Sequence, residues 1–494
     1  MGRKNVKVGY IRYNSDMIDK NTIPLANHPT VFVIFGITGD LASRKLLPAL
    51  LALFVKKLLP TRFAIVGFSR RSFSREEFRD LIRENIKIKQ GQFKEEDVKH
   101  FLDHMTYEQG HFDFVPAYTR LAETLRFIDE RWGQCSNKLF HLSVPPDLYQ
   151  GILTNLAGSN LTLPCDDRTG WTRVLIEKPF GNDIVTARSL DRLLGKLFKE
   201  EQIFRIDHYL AKEALQNILA FRFDNPIFEP MWSREFIDKV HIKLFEKDGI
   251  ENRGAFYDQI GALKDVGQNH ILQMLALIAM GKPRSVHALD IRRERLIVLK
   301  ALKNIDQHDL SKNVVRGQYN GYSSESGVST QSQTETYFRV ETRINLSHWK
   351  GVPFFLESGK HLAESRTEID IYFKKGRRLT MINGSDSDKF QDQNILTFRI
   401  QPDEGIRIKF FVKTPGYGFA TEARTLKFKY GDVPSFNDIP NDYEKLIHDA
   451  FIGDQTLFAS TEEIMASWEF VTPILENWKV LPLKIYEQGT REVE

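Results

Sequence analysis

The sequence predicts a parallel, doubly wound α/β domain followed by a region of mainly antiparallel sheet. Three observations carry this reading. Over residues 30–205 short continuous apolar runs alternate with long amphipathic segments, and a glycine-bearing turn follows the first run. After about residue 235 the runs give way to strict apolar/polar alternation. A chain of 494 residues has room for about two to four domains, so such a change of texture is expected.

Residues 1–29 are polar, contain Pro24 and Pro29, and read as a loosely held arm without the apolar stretch of a secretory leader. Val31–Phe35 (VFVIF) reads as a strand buried on both faces. A helix is expected from about Leu41. The apolar run Leu46–Val55 contains Pro48 and sits between Lys45 and Lys56; it is about half a membrane span. Further short strands are expected at Phe63–Val66, Leu139–Leu142 and Arg173–Ile176. Val240–Phe245, Glu368–Phe373, Gly405–Phe410 and Thr425–Tyr430 alternate and read as half-exposed strands, interrupted by a helix over about Ala262–Met280. Gly317–Ser332 is rich in Gly, Ser and Asn and reads as a mobile loop.

Apolar residues at 41% and charged residues at 27% suit a soluble globular protein with a large core. Lys+Arg 69 against Asp+Glu 65 leaves a charge of +4, too weak to suggest nucleic acid or a membrane surface as partner. Cys135 and Cys165 lack CxxC or zinc spacing and read as free thiols in a reducing compartment, which places the protein in the cytoplasm.

The segment Gly36-Ile-Thr38-Gly39-Asp40-Leu41-Ala42 lies between a strand and a helix. Gly36 would permit the tight turn, Gly39 a close approach to a pyrophosphate, and the helix N-terminus a set of free N–H groups. GxxGxxA alone also fits an ordinary strand-to-helix turn. The second strand ends Ser69-Arg70-Arg71, with no acid to accept from a ribose 2′-OH. Two guanidinium groups suit a 2′-phosphate, so NADP is the coenzyme favoured.

In Arg205-Ile-Asp207-His208-Tyr209-Leu-Ala-Lys212, helical spacing would put His208 and Lys212 on one face, fit for a phosphate dianion. The alternative is a surface helix start with Asp207 near its positive end. His270 falls on the apolar face of its helix with Leu263, Val266, Gly267, Met274 and Leu277. Pattern alone leaves two readings open, a core histidine or a buried general base. His100 and His104 have metal-ligand spacing, but no third ligand is identifiable and a solvated face is expected, so no metal is predicted.

The strings GITGDLASRKLLPAL (36–50), EKPFG (177–181) and RIDHYLAKE (205–213), with DVGQNH (265–270) and GVPFFLESGK (351–360) following in order, resemble the glucose-6-phosphate dehydrogenase family. The resemblance runs from about residue 30 to Glu494. It implies a Rossmann-type NADP-binding domain over 30–205. Residues 206–494 would form an α+β domain that binds substrate and forms a homodimer or homotetramer through its large sheet. The implied reaction oxidises β-D-glucose 6-phosphate at C1 to the 1,5-lactone, with hydride transfer to NADP. By the same resemblance His270 takes the C1 hydroxyl proton and Asp207 pairs with it. His208, Tyr209 and Lys212 hold the phosphate; Glu246 and Asp265 accept from sugar hydroxyls; Lys360 adds a cation at the sugar. Lys178 lies between coenzyme and substrate, and Thr38, Arg70 and Arg71 meet the 2′-phosphate.

Two departures stand out. Ala211 occupies a position where the family usually has Gly, and Ser365 one where it usually has a basic residue, with Arg366 adjacent. A sugar dehydrogenase of the inositol-dehydrogenase kind would not need the clamp of His208 and Lys212. A non-catalytic NADP sensor would not need Asp207 and His270.

Overall fold

The computed structural model of the chain describes residues 28–87, 93–164, 170–375, 393–418, 420–433 and 439–493. The expected arm lies outside them apart from His28 and Pro29. By internal contacts the chain forms two compact units. One comprises the described residues within 28–141, 155–173 and 447–453; the other comprises those within 142–154, 174–446 and 454–493.

β1 (Thr30–Phe35), β2 (Phe63–Ser69), β3 (Met105–Gln109), β4 (Asn137–Leu142), β5 (Thr172–Ile176) and β6 (Ile203–Ile206) lie in the order 3-2-1-4-5-6. This is the doubly wound order of dinucleotide-binding folds, whose ligands sit where the order reverses, beside β1. Every residue of β1 is buried, as its unbroken apolar run requires, and it pairs in parallel with β2. The second sheet contains β7 (Ile237–Phe245), β8 (Val314–Tyr319), β9 (Tyr337–Arg343), β10 (Pro353–Gly359), β11 (Arg366–Phe373), β12 (Ile395–Gln401), β13 (Gly405–Lys413) and β14 (Thr421–Lys429). A short β15 (Phe458–Ala459) pairs antiparallel with β6, and β16 (Leu483–Tyr486) completes the second sheet. Its order is 14-13-12-11-7-10-9-8-16, mostly antiparallel, with β7–β10 and β8–β16 parallel. β7 alternates buried with half-buried residues over Val240–Leu244, as expected, and β12, which the sequence pattern did not single out, does the same. At the sheet's edge β14 is largely exposed on both faces.

Two helices begin with an unusual winding. Ala42–Leu46 and Leu263–Ile271 are π-helical and pass into the α-helices Leu47–Val55 and Leu272–Ala279. Hydrogen bonds of a π-helix reach five residues back, and such segments cluster at functional sites.

Two expectations are corrected. Gly317, Gln318 and Tyr319 belong to β8 rather than a mobile loop, and Tyr319 and Tyr322 are fully buried against Tyr257 and Tyr486. Their rings supply the apolar area that the polar composition conceals. Cys135 is disulfide-bonded, not a free thiol, which removes the ground for a reducing compartment; Cys165 lies outside the described residues. Among the described residues no helix is long and apolar enough to cross a membrane.

Candidate active site

The site begins where β6 ends. Asp207 follows directly and is 2% exposed. Its Oδ1 accepts from the Tyr209 backbone N–H at 3.0 Å, and this local bond diverts the chain from a helix. Residues 207–212 form successive tight turns instead, with Leu210, Ala211 and Lys212 N–H bonded to the carbonyls of Asp207, His208 and Tyr209. The helical spacing expected of His208 and Lys212 is therefore not what positions them. Lys212 is the N-cap of the helix Glu213–Phe223, with its Nζ 5.4 Å from the Tyr209 ring centroid.

The same Asp207 Oδ1 lies 2.5 Å from His270 Nδ1, and His270 is 1% exposed. Tyr209 stacks on the His270 ring at 4.3 Å, while His208 meets it edge-on at 4.9 Å. Burial pushes the His270 imidazole below its ordinary value, although Asp207 pulls the other way. Burial would raise Asp207, yet His270, His208 and Lys178 hold it below the usual carboxylate range. At neutral pH the pair is thus a carboxylate and a neutral imidazole. Burial and the neighbouring His270 push the His208 imidazole well down. Ligand-capable atoms of Asp207, His208 and His270 lie within 4.8 Å of one another. They are the residues grouped closely enough to hold a metal among those described, but the Asp207–His270 bond already occupies one atom of each.

The π-winding of Leu263–Ile271 serves this site. The Asp265 carbonyl accepts from Asn269 Nδ2 at 2.9 Å and from Lys178 Nζ at 3.0 Å, and Lys178 also lies 3.5 Å from the Asp265 carboxylate. Asp265 is half-buried; its desolvation would raise it, but Lys178 and Lys360 hold it low. Sheet register places the last pair. Gly359 of β10 lies opposite Phe245 of β7, so the next residues, Lys360 and Glu246, meet with Nζ and Oε2 at 2.5 Å.

The structure thus joins Lys178, Asp207, His208, Tyr209, Lys212, Asp265 and His270 in one cluster, with Glu246 and Lys360 beside Asp265. Two participants escaped the sequence reading. Asp442 Oδ2 pairs with Lys212 Nζ at 3.2 Å, and Gln401 Nε2 donates to the Tyr209 hydroxyl at 3.2 Å. Both come from distant segments and no local pattern marks them. At the departure noted above, Ser365 Oγ accepts from Lys247 N–H, while Arg366 is bound to Glu364 and Glu368.

The glycine turn is built as its residues require. Gly36 has φ +78°, which favours glycine, and a Cβ on Gly39 would stand 3.1 Å from the Gly36 carbonyl. Thr38 Oγ1 donates to Ser69 Oγ at 3.3 Å, tying the turn to the end of β2, where Arg70 and Arg71 are exposed. The Asp40 carboxylate is paired with Arg44 at 2.6 Å, which leaves backbone N–H groups as what Asp40 and Leu41 can offer a phosphate. These residues fit a dinucleotide with a 2′-phosphate.

Two sequence families match the chain: "Glucose-6-phosphate dehydrogenase, NAD binding domain" over residues 33–217 and "Glucose-6-phosphate dehydrogenase, C-terminal domain" over 219–494. A glucose-6-phosphate 1-dehydrogenase of Chlamydia muridarum is 39% identical over 487 residues, 94% of this chain and 93% of that protein. Another, of Chlamydia pneumoniae, is 40% identical over 464 residues, 91% of this chain and 90% of that protein. Among solved structures, a glucose-6-phosphate dehydrogenase in complex with its substrate glucose-6-phosphate has 34% identity and a TM-score of 0.85, over 94% of this chain and 95% of its own. Matched in both halves and along nearly all its length, the chain belongs to the glucose-6-phosphate dehydrogenase family.

Proposed function

We propose that the chain oxidises β-D-glucose 6-phosphate at C1 to 6-phospho-D-glucono-1,5-lactone, the first step of the oxidative pentose phosphate pathway. The observation that carries the residue assignments is the buried hydrogen bond between Asp207 Oδ1 and His270 Nδ1. With Nδ1–H donated to the carboxylate, Nε2 of the neutral ring is the nitrogen that accepts the C1 hydroxyl proton. Asp207 then faces an imidazolium, and its charge stabilises the one that forms. Asp265 and Glu246 accept from sugar hydroxyls, each already aligned by a lysine. Lys212, with His208 and Tyr209, holds the phosphate. NADP, when bound at the glycine turn, supplies the hydride acceptor. The test is reduced-nicotinamide absorbance, comparing glucose 6-phosphate with glucose and NADP with NAD.

A second copy of the chain is the partner in this reading, docked through the large sheet. The cytoplasmic location that free thiols suggested loses that support with the Cys135 disulfide.

Two substitutions separate the two ligands. Lys212→Ala removes a charge-assisted contact of about 1.5–3 kcal/mol and leaves Asp442 unpaired beside the phosphate, so KM for glucose 6-phosphate should rise at least about tenfold. KM for NADP should change little. A rise in coenzyme KM alone would show that Lys212 belongs to a different site. Arg70→Ala with Arg71→Ala should weaken NADP much more than NAD, because NADP alone carries the 2′-phosphate. Equal losses for both coenzymes would make the arginines structural.

A further inference from the structure

Glu335 is a carboxylate that the mechanism above does not use, and it is 4% exposed. It immediately precedes Thr336 and β9 (Tyr337–Arg343) and sits at the first turn of the helix that carries Asp265 and His270. Its Oε1 accepts from Leu263 N–H at 3.1 Å, and its backbone oxygen accepts from Ala262 N–H at 3.0 Å. These are N–H groups at a helix start, which lack partners within the helix. Its Oε2 accepts from the Trp478 indole at 3.1 Å. The chain gives way to this carboxylate: Gly261 has φ +74°, and a Cβ there would stand 2.4 Å from Oε1. The next residue extends the brace to the other side of the sugar site. The Thr336 carbonyl accepts from Lys360 N–H at 3.0 Å, and Tyr486 OH donates to the Lys360 carbonyl at 2.7 Å.

We infer that Glu335 is a positioning residue for the proposed base: its carboxylate, held by Trp478, sets where the helix begins and so where Asp265 and His270 stand. The inference rests on His270 being that base. Asp265 is two residues and His270 seven beyond Leu263, within the one π-wound segment, so a shift of its first turn is passed to both. Both carboxylate oxygens face N–H donors, and only a group with two acceptors satisfies both. Glutamine has one, so its NH₂ must face either Leu263 N–H or the Trp478 indole. Burial pushes the Glu335 carboxyl up to about 7, so loss of its charge alone costs the fold little. The variant Glu335→Gln is therefore expected to fold.

The test is steady-state kinetics of Glu335→Gln and of Glu335→Gln combined with Trp478→Phe. The single variant should lose kcat by about five- to tenfold, with KM for NADP within about twofold of wild type, because a buried donor facing a donor shifts the helix start. Removing the indole relieves that clash, and the double variant should recover to within about threefold of wild-type kcat. A single variant with unchanged kcat overturns the inference, as does a double variant no faster than the single. If Glu335→Gln does not fold, Gly261→Ala displaces the same carboxylate and must show the same loss of kcat; normal turnover there also overturns it. Failure of the underlying reading is distinguishable, since His270→Asn would then retain wild-type kcat.

Discussion

His270→Asn is expected to lower kcat by about 10²–10⁴-fold, the contribution of a positioned general base. The ring it removes is 1% exposed, bonded to Asp207 at 2.5 Å and stacked on Tyr209. Asn is smaller and polar, so part of the effect on stability is packing; turnover must be read on folded protein with the phosphate clamp intact. KM for glucose 6-phosphate should change far less than kcat, because Lys212 is untouched. The wild-type pH profile provides a second check. Burial holds the imidazole below 6.5, so the acid limb of kcat/KM should fall below that value and rates should rise as pH increases through it. Near-normal kcat in the variant would make His270 an ordinary core residue.

Asp207→Asn should be nearly as damaging, about 10²–10⁴-fold in kcat, since the analogous loss of a carboxylate behind a catalytic imidazole removes both tautomer control and counter-charge. Here the carboxylate is 2% exposed and its Oδ1 also takes the Tyr209 N–H, so the amide must choose between orienting the turn and facing the ring. The sign of the accompanying pH shift is definite. Asp207 raises His270 by its negative charge; without it the imidazole should titrate lower, and the acid limb should move to lower pH while the plateau drops. An unchanged plateau would remove Asp207 from the mechanism. A limb moving upward would mean that another anion governs the ring.

What the sequence reveals follows from how local each cause is. VFVIF announces β1 because burial on both faces needs an unbroken apolar run. Gly36 announces its turn because its φ is positive. The alternation of Val240–Phe245 reports one buried face. The turn at Asp207–Lys212 departs from the helix that its spacing suggests because its cause is a side-chain bond to Tyr209 N–H, reinforced by a histidine 63 residues away. Asp442 and Gln401 reach the site through tertiary contacts with no trace in the local pattern. The roles given to Glu246, Asp265 and Lys360 came from family resemblance; the register of β7 against β10 supplies the physical reason that two of them meet.

The π-wound segment Leu263–Ile271 has a consequence for engineering. On an α-helix, at about 100° per residue, positions five apart point well away from each other. In a winding whose bonds reach five residues back, Asp265 and His270 come much closer to sharing one face. Deleting one residue there would let the helix relax to the commoner form, with better backbone geometry, and would turn one of these side chains away from the proposed sugar site. Selection for heat resistance alone would favour that trimming. This nine-residue stretch is therefore a place where stability and turnover pull in opposite directions, and a thermostabilised descendant should be screened for activity before any change in it is kept.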